Sequence, residues 1–384
     1  MSAIVALQNC AEYDFEKVYE AIEKMMSLVP PPDVKGKTVL IKPNILSPKK
    51  PEYAICTHPV VVGAAVRAFV ARGAKVIVGE SPATANSTSA AKTTGMYDII
   101  RENGGEWVDF NEPTQITCDE CKICKTFDFA KPFTQADVVV SVAKLKTHQF
   151  MSYTGTLKNL FGLIIGLNKA KTHYRFQSKQ NFSSYITDLN IAANPQYAIM
   201  DAIVGMEGKG GPGNGDPVQL GFLAASDNTL AVDWACASIV GYNPEQVPIL
   251  KDAMSRKKWL SSPDEITYAG CTPDEVKPAS FKIVREAAAA VTLQKMLPGA
   301  LNKLASLVFV KTPRFNAKKC IRCGKCAEIC PAHILRFSTK NAEVAPDNTP
   351  NAEKFITMED RKKCLHCFCC HEICPVEAIS LHKF

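Results

Sequence analysis

Apolar residues in the first two-thirds of the chain fall into short runs of two kinds. Residues 3–7, 38–41, 75–78 and 136–142 are apolar or β-branched stretches of strand length. Residues 60–71 repeat at helical spacing, and 87–101 read as mostly helical with Gly95 as a break. Residues 198–204, 221–225 and 229–240 continue the theme. Strands apolar on both faces, alternating with helices, predict an α/β domain on a mainly parallel sheet. Ligands of such sheets bind beyond the carboxyl ends of the strands. The polar residues that follow each strand therefore carry the most information.

Those residues are largely cationic or glycine. Lys42-Pro43-Asn44 follow Ile41, and Gly79-Glu80-Ser81-Pro82 follow Val78. Lys144, Lys146 and His148 follow Val142, with Lys158 and Asn159 shortly after. The glycine-rich stretch 205–216 carries Glu207, Gly208, Gly210 and Gly211. Clustered cations beside a loop able to present backbone amides describe an anion site. Its candidate residues are Lys42, Asn44, Glu80, Lys144, Lys146, Lys158, Asn159, Gly208, Gly210 and Gly211. A phosphate, carboxylate or nucleotide-like cofactor suits such a site. His148 and Glu207 are candidate catalytic proton donors, since reduction by electrons needs matching protons. The loop matches neither the dinucleotide fingerprint nor the P-loop, which argues against NAD and ATP.

The C-terminal part changes the picture. Of 16 cysteines, eight fall in two matching runs. The first is Cys320, Cys323, Cys326 and Cys330 before Pro331; the second is Cys364, Cys367, Cys370 and Cys374 before Pro375. This is the bacterial ferredoxin spacing, in which three cysteines wrap one cluster and the fourth crosses to the other. Cys320, Cys323, Cys326 and Cys374 are thus assigned to one [4Fe–4S] cluster, and Cys364, Cys367, Cys370 and Cys330 to a second. Zinc favours two C-x₂-C pairs across a longer loop and fits poorly. The apolar segments 332–337 and 376–381 are each suited to pack over the cluster of the run they follow. The polar stretch 341–354 reads as a surface insertion, and Cys369 as a bystander thiol.

Composition sets limits on the rest. The chain has 384 residues, 46% hydrophobic and 22% charged, which predicts two or three globular domains. Its most apolar stretch, 160–167, is too short for a membrane span. Residues 1–7 read as a first strand rather than a secretory signal, so a cytoplasmic, reducing and anaerobic setting is expected. The formal charge of +7 counts every thiol as neutral. Two thiolate-ligated clusters lower it to roughly +3, and no nucleic-acid partner is expected.

Cys118, Cys121 and Cys124 are left over. At this spacing they are candidates for a third metal centre, with Cys10, Cys56, Cys236 or Cys271 as a distant fourth ligand. The alternative is a strand over 121–129 whose cysteines serve as small buried hydrophobes.

The runs I-K-P-N, T-H-P at Thr57-His58-Pro59, G-E-S-P, K-L-K-T-H and L-K-N-L-F-G resemble domain-of-unknown-function family 362. The resemblance spans most of residues 1 to 300. It implies an iron–sulfur protein of prokaryotic type, often fused to a C-terminal two-cluster ferredoxin, and supplies no reaction. The expected architecture is an α/β domain over 1–305 and a small α+β ferredoxin-like domain over 311–384, joined by a linker at 297–312. Two functions compete, ahead of a third in which the first domain binds a cofactor or transfers a group and the clusters are structural or regulatory. One is an oxidoreductase passing electrons through the clusters to an anionic substrate or cofactor. The other is a non-enzymatic carrier or adaptor docking on a larger redox complex. Either implies a redox protein as donor or acceptor. Lys318, Lys319, Arg361, Lys362 and Lys363 are placed to steer an acidic one.

Overall fold

The structure is a computed structural model describing residues 2–284, 311–338 and 355–382. It divides into two compact units, one of residues 1–169 and 178–284, the other of 170–177 and 285–384. The linker expected at 297–312 lies, except for its last two residues, outside the described residues. The insertion expected at 341–354 lies wholly outside them.

The first unit opens with β1 (Ala3–Asn9), α1 (Phe15–Leu28), β2 (Thr38–Pro43), α2 (Pro59–Ala71) and β3 (Lys75–Val78). Next come α3 (Ser87–Thr93), α4 (Met96–Glu102), β4 (Glu106–Trp107) and a hairpin of β5 (Pro113–Thr117) and β6 (Thr126–Ala130). The long β7 (Val138–His148) is followed by β8 (Ser152–Thr154), α5 (Thr156–Asn159), α6 (Asn168–Arg175), of which residues 170–175 count with the second unit, and α7 (Lys179–Ala193). The unit ends with β9 (Tyr197–Glu207), β10 (Asp216–Ser226), α8 (Thr229–Ile239), α9 (Pro248–Ser255) and β11 (Ile266–Gly270).

The main sheet runs β11-β1-β10-β9-β7-β2-β3-β4, with β8 paired to β7. The pairs β9–β7, β7–β2, β2–β3, β3–β4 and β1–β11 are parallel; β10 is antiparallel to both β1 and β9. The sheet is mostly parallel, as the alternating pattern predicts.

Side-chain alternation fixes what each face carries. Val39 and Ile41 of β2 and Val140 and Val142 of β7 share a core with Val18, Ile22 and Met25 of α1 and Val62, Val66 and Phe69 of α2. Lys42 and Ser141, paired in register, fall on the opposite face. The T-H-P motif sits at the seam of the first face. The Thr57 hydroxyl accepts from the Asn44 N–H at 2.9 Å and donates to the Val142 carbonyl at 2.8 Å, tying the ends of β2 and β7 together. His58 caps α2, and Pro59 occupies its first turn, where a missing N–H costs nothing.

One strand outruns the sequence reading. The apolar run ends at Val142, but β7 continues to His148 with all of its residues buried. Lys144 and Lys146 thus lie inside the strand, each held by polar partners.

In the second unit, β12 (Thr312–Phe315) pairs antiparallel with β15 (Ile379–His382), and β13 (Leu335–Ser338) with β14 (Phe355–Met358). One-turn helices at Lys325–Glu328 and Cys369–Glu372 carry the third cysteine of each run. This is a small α+β arrangement with an internal repeat.

Candidate functional site

The two cysteine runs exchange ligands. Cys320, Cys323 and Cys326 line a hollow of about 450 Å³ together with Cys374 from the other run. Cys364, Cys367 and Cys370 line a second, of about 350 Å³, together with Cys330. The remaining walls are mainly apolar, with Ile356, Val376 and Ile379 in the first and Ile334, Leu335 and Met358 in the second. Each apolar segment therefore covers the hollow opposite its own run, because it follows the cysteine that crosses over.

The chemistry of these thiols fits a cationic iron core. Burial first, and then the nearby Cys374, Cys320 and Cys323, push Cys326 up to about 11. Cys370 is raised likewise, by burial first and then by Cys367, Cys364 and Cys330. Four thiols that oppose one another's ionisation become compatible once iron binds them as thiolates. The Ala378 N–H donates to the Cys374 sulfur at 3.2 Å, the kind of contact that tunes a cluster. Each bound [4Fe–4S] cluster supplies one-electron transfer. Cys369 is buried, and a hydrogen bond to Cys367 is the largest cause of its raised pKa.

The candidate anion residues do not form one site. They divide between the two faces of the sheet. On the first face, Lys144 pairs with Asp201 at 2.9 Å and donates to the Tyr13 hydroxyl at 2.6 Å. Tyr13 donates to the other Asp201 oxygen at 2.9 Å and stacks on His58, ring centroids 3.6 Å apart. Burial pushes His58 down to about 4, with Lys144 adding to the drop and Asp201 opposing it. His58 is therefore neutral near pH 7, and its Nδ1 accepts the Val60 N–H at 3.3 Å. Lys146 donates to Asn44 Oδ1 at 2.7 Å and to the Ile55 carbonyl at 2.6 Å.

On the opposite face, the Lys42 ammonium forms a buried ion pair with Glu80 and donates to the Pro43 carbonyl at 2.6 Å and Asn159 Oδ1 at 3.3 Å. Asn159 donates in turn to the Lys42 carbonyl at 2.7 Å and the Ser141 hydroxyl at 3.1 Å. The other Glu80 oxygen accepts the Ser81 N–H at 2.9 Å. Gly162 lies over this pair. A Cβ there would sit 2.3 Å from Glu80 Oε1 and 2.4 Å from Lys42 Nζ, so a side chain at this position would displace the paired ends of both residues. Half-buried Lys169 donates to the Ser81 carbonyl. Burial pushes it down to about 7; Glu80 opposes the shift, while Lys42 and Lys158 reinforce it. Burial also lowers Lys42, against the pull of Glu80. Lys42 and Lys169 thus lie near Glu80 at the carboxyl ends of β2 and β3, with Lys158 close enough to act on Lys169.

The short helix α5 presents Lys158 and Asn159 because Asp233 of α8 holds its start. Asp233 accepts the Thr156 N–H at 2.6 Å, the Thr156 hydroxyl at 2.9 Å and the Leu157 N–H at 2.9 Å. Burial pushes Asp233 up to about 6 against those hydrogen bonds.

The remaining candidates lie elsewhere in the unit. His148 Nδ1 accepts the N–H groups of Phe150 at 3.1 Å and Met151 at 3.3 Å, fixing the turn into β8. Glu207 pairs with Lys282 at 2.8 Å and also accepts its backbone N–H at 2.7 Å. The Gly208 N–H donates to the Lys282 carbonyl at 2.8 Å, and the Gly208 carbonyl accepts from the Thr147 hydroxyl at 2.8 Å. The carbonyls of Gly210 and Gly211 accept N–H groups from Asn214 at 2.9 Å and Gln149 at 3.1 Å. Cys118, Cys121 and Cys124 occupy the β5–β6 turn region. The Cys121 thiol donates to the Asp188 carbonyl at 3.2 Å and the Cys124 thiol to the Thr126 carbonyl at 3.3 Å. Among the described residues no three His, Cys, Asp or Glu side chains converge as a single metal ion requires.

Sequence reasoning missed Asp201, Asp233, Tyr13 and Lys169. The two aspartates had a signal: each stands between apolar residues of a strand or helix, where a charge persists only if paired or hydrogen-bonded. Lys169 had none, since it stands among polar neighbours.

A small unit with two crossed sets of four cysteines, together with a separate mostly parallel α/β unit, defines a two-cluster iron–sulfur protein. Residues 319–378 match the 4Fe-4S dicluster domain. Residues 39–238 match the domain of unknown function DUF362, and the chain belongs to that family. It is 30% identical over 249 residues to the thylakoid-associated protein sll1697 of Synechocystis sp., covering 65% of this chain and 76% of that protein. It is also similar to the lactate racemase apoprotein structure from Thermoanaerobacterium thermosaccharolyticum, with a TM-score of 0.36 and 13% identity. That likeness covers 62% of this chain and 57% of the racemase chain. Among the described residues no helix is long and apolar enough to cross a membrane.

Proposed function

We propose that the protein is an iron–sulfur oxidoreductase that passes electrons one at a time to an anionic substrate or cofactor held beside Lys42, Glu80 and Lys169. The observation that carries this reading is the buried Lys42–Glu80 pair with Lys169 beside it, on the Ser81 carbonyl. When protonated, Lys169 adds a positive charge beside the Lys42–Glu80 pair, where screening is weak. Asn159 and Ser81 orient the set. Lys169, with a pKa near 7, also suits the delivery of a proton to a group being reduced.

Anion titration calorimetry on anaerobically purified protein tests this, with inorganic phosphate, succinate and flavin mononucleotide as probes. At least one binds, and Lys169→Ala weakens it about tenfold, roughly 1.4 kcal/mol. Lys169 is charged only below about 7, so affinity falls as pH rises from 6 to 8 in the wild type and not in the variant. Binding indifferent to both changes removes the anion from this site.

One observation favours the carrier or adaptor reading. Lys42 and Lys144 are each neutralised internally, by Glu80 and Asp201. If the polar clusters serve only the fold, none of the three probes binds.

A further inference from the structure

The two cysteine loops share a backbone path but present different surfaces. Arg322 and His366 hold equivalent positions, both with positive φ, at 60° and 52°. Around Arg322 the loop is open: Ile321 is 60% exposed, and Arg322 and Cys323 are exposed as well. Around His366 it is closed: Leu365, His366 and Cys367 are half-buried. The His366 ring nitrogen Nδ1 lies 3.0 Å from the Lys311 carbonyl, and buried Phe368 replaces Gly324.

Charge follows the same asymmetry. Lys318, Lys319 and Arg322 are exposed and Lys325 half-buried, and among the described residues none of the four makes an ion pair. The Asn316 carboxamide accepts the backbone N–H groups of Lys318 at 3.0 Å and Lys319 at 3.3 Å, which fixes the turn that displays them. The nearest acid in this stretch is Glu328. At the second run the basic residues Arg361, Lys362 and Lys363 follow Glu359 and Asp360 directly, and Lys363 lies 3.9 Å from Asp360.

We propose that the loop 318–325 is the docking surface for a small acidic one-electron carrier protein. Electrons then cross through the cluster held by Cys320, Cys323, Cys326 and Cys374. The surface has an apolar centre, Ile321, inside a cationic collar, and a cluster ligand, Cys323, exposed at its middle. Charge collars steer encounter while a small apolar centre seats the partner, the pattern of weak redox complexes. The step balances simply. The carrier loses one electron and the cluster gains one, with no bond or proton moved. The inference rests on the oxidoreductase reading only in taking the clusters as an electron route.

The test uses the anaerobic, cluster-loaded full chain and titration calorimetry. An acidic bacterial ferredoxin is the probe, and basic cytochrome c the control. Three proteins are compared: wild type, the reversal K318E/K319E/R322E, and the reversal R361E/K362E/K363E. Iron content is checked first, since all six side chains are exposed and none is a ligand. The expected result is ferredoxin binding that weakens with salt, falls about tenfold or more in the first reversal and changes less than about threefold in the second. Equal effects of the two reversals overturn the proposal, as does tighter binding of cytochrome c. Binding of the wild type to anionic lipid vesicles that the first reversal abolishes, without ferredoxin binding, reassigns the surface to a membrane and also overturns it. If ferredoxin docks as expected but no anion binds near Lys169, the oxidoreductase reading fails and the docking surface stands.

Discussion

At the scale of single residues, the candidate site is governed by close approach and by pairing. Gly162 shows the first. Its missing side chain lets the 160–163 turn lie on the Lys42–Glu80 pair, so Gly162→Ala forces a methyl group into both. Overpacking of this kind costs about 1–3 kcal/mol. Thermal unfolding should register the loss, and the same variant should lose anion binding. Gly36→Ala is the control: its φ is 71° but nothing lies within 4 Å, so it brings backbone strain without a clash at the site. An unchanged melting temperature for Gly162→Ala contradicts the packing. Pairing shows why residue types were legible where roles were not. Lys42, Lys144 and Lys146 stand out in sequence as cations after apolar runs. Their partners Asp201 and the Ile55 carbonyl lie far away in the chain and appear only when strands are placed side by side.

At the scale of elements, the sequence reveals the kind of element better than its extent. The apolar runs locate β2, β3, β7 and β9, but β7 reaches His148 because Asp201 and Asn44 make its lysines tolerable inside the sheet. The reading of 121–129 as one strand fails for a related reason. The chain turns at 121–124 because Asp188 of α7 clasps it, accepting N–H groups from Lys122 at 2.9 Å, Ile123 at 2.6 Å and Cys124 at 3.0 Å. Arg256 balances the same carboxylate at 3.0 Å. That clasp accounts for the turn without a metal. Cys121→Ala should therefore leave iron and sulfide at the content of two clusters, about eight of each per chain. A drop of about four irons on that substitution establishes a third centre instead.

At the scale of the whole molecule, the repeat of cysteine spacing was fully legible, because ligand chemistry is local and the crossing of the fourth cysteine follows from the spacing itself. The division of the other candidates between two faces of a sheet was not, since it depends on strand register. On the proposed function, electrons held on the clusters leave to an anion bound beside Lys169. The most direct measurement is anaerobic stopped-flow mixing. Protein reduced with stoichiometric dithionite meets a reducible anion, fumarate, a 2-oxo acid or flavin mononucleotide, while the visible absorbance of the clusters is followed. Reoxidation is expected to saturate with one of these anions and to slow about tenfold in Lys169→Ala at low anion concentration. Reoxidation at the same rate with and without every anion, or at the same rate in Lys169→Ala, contradicts it.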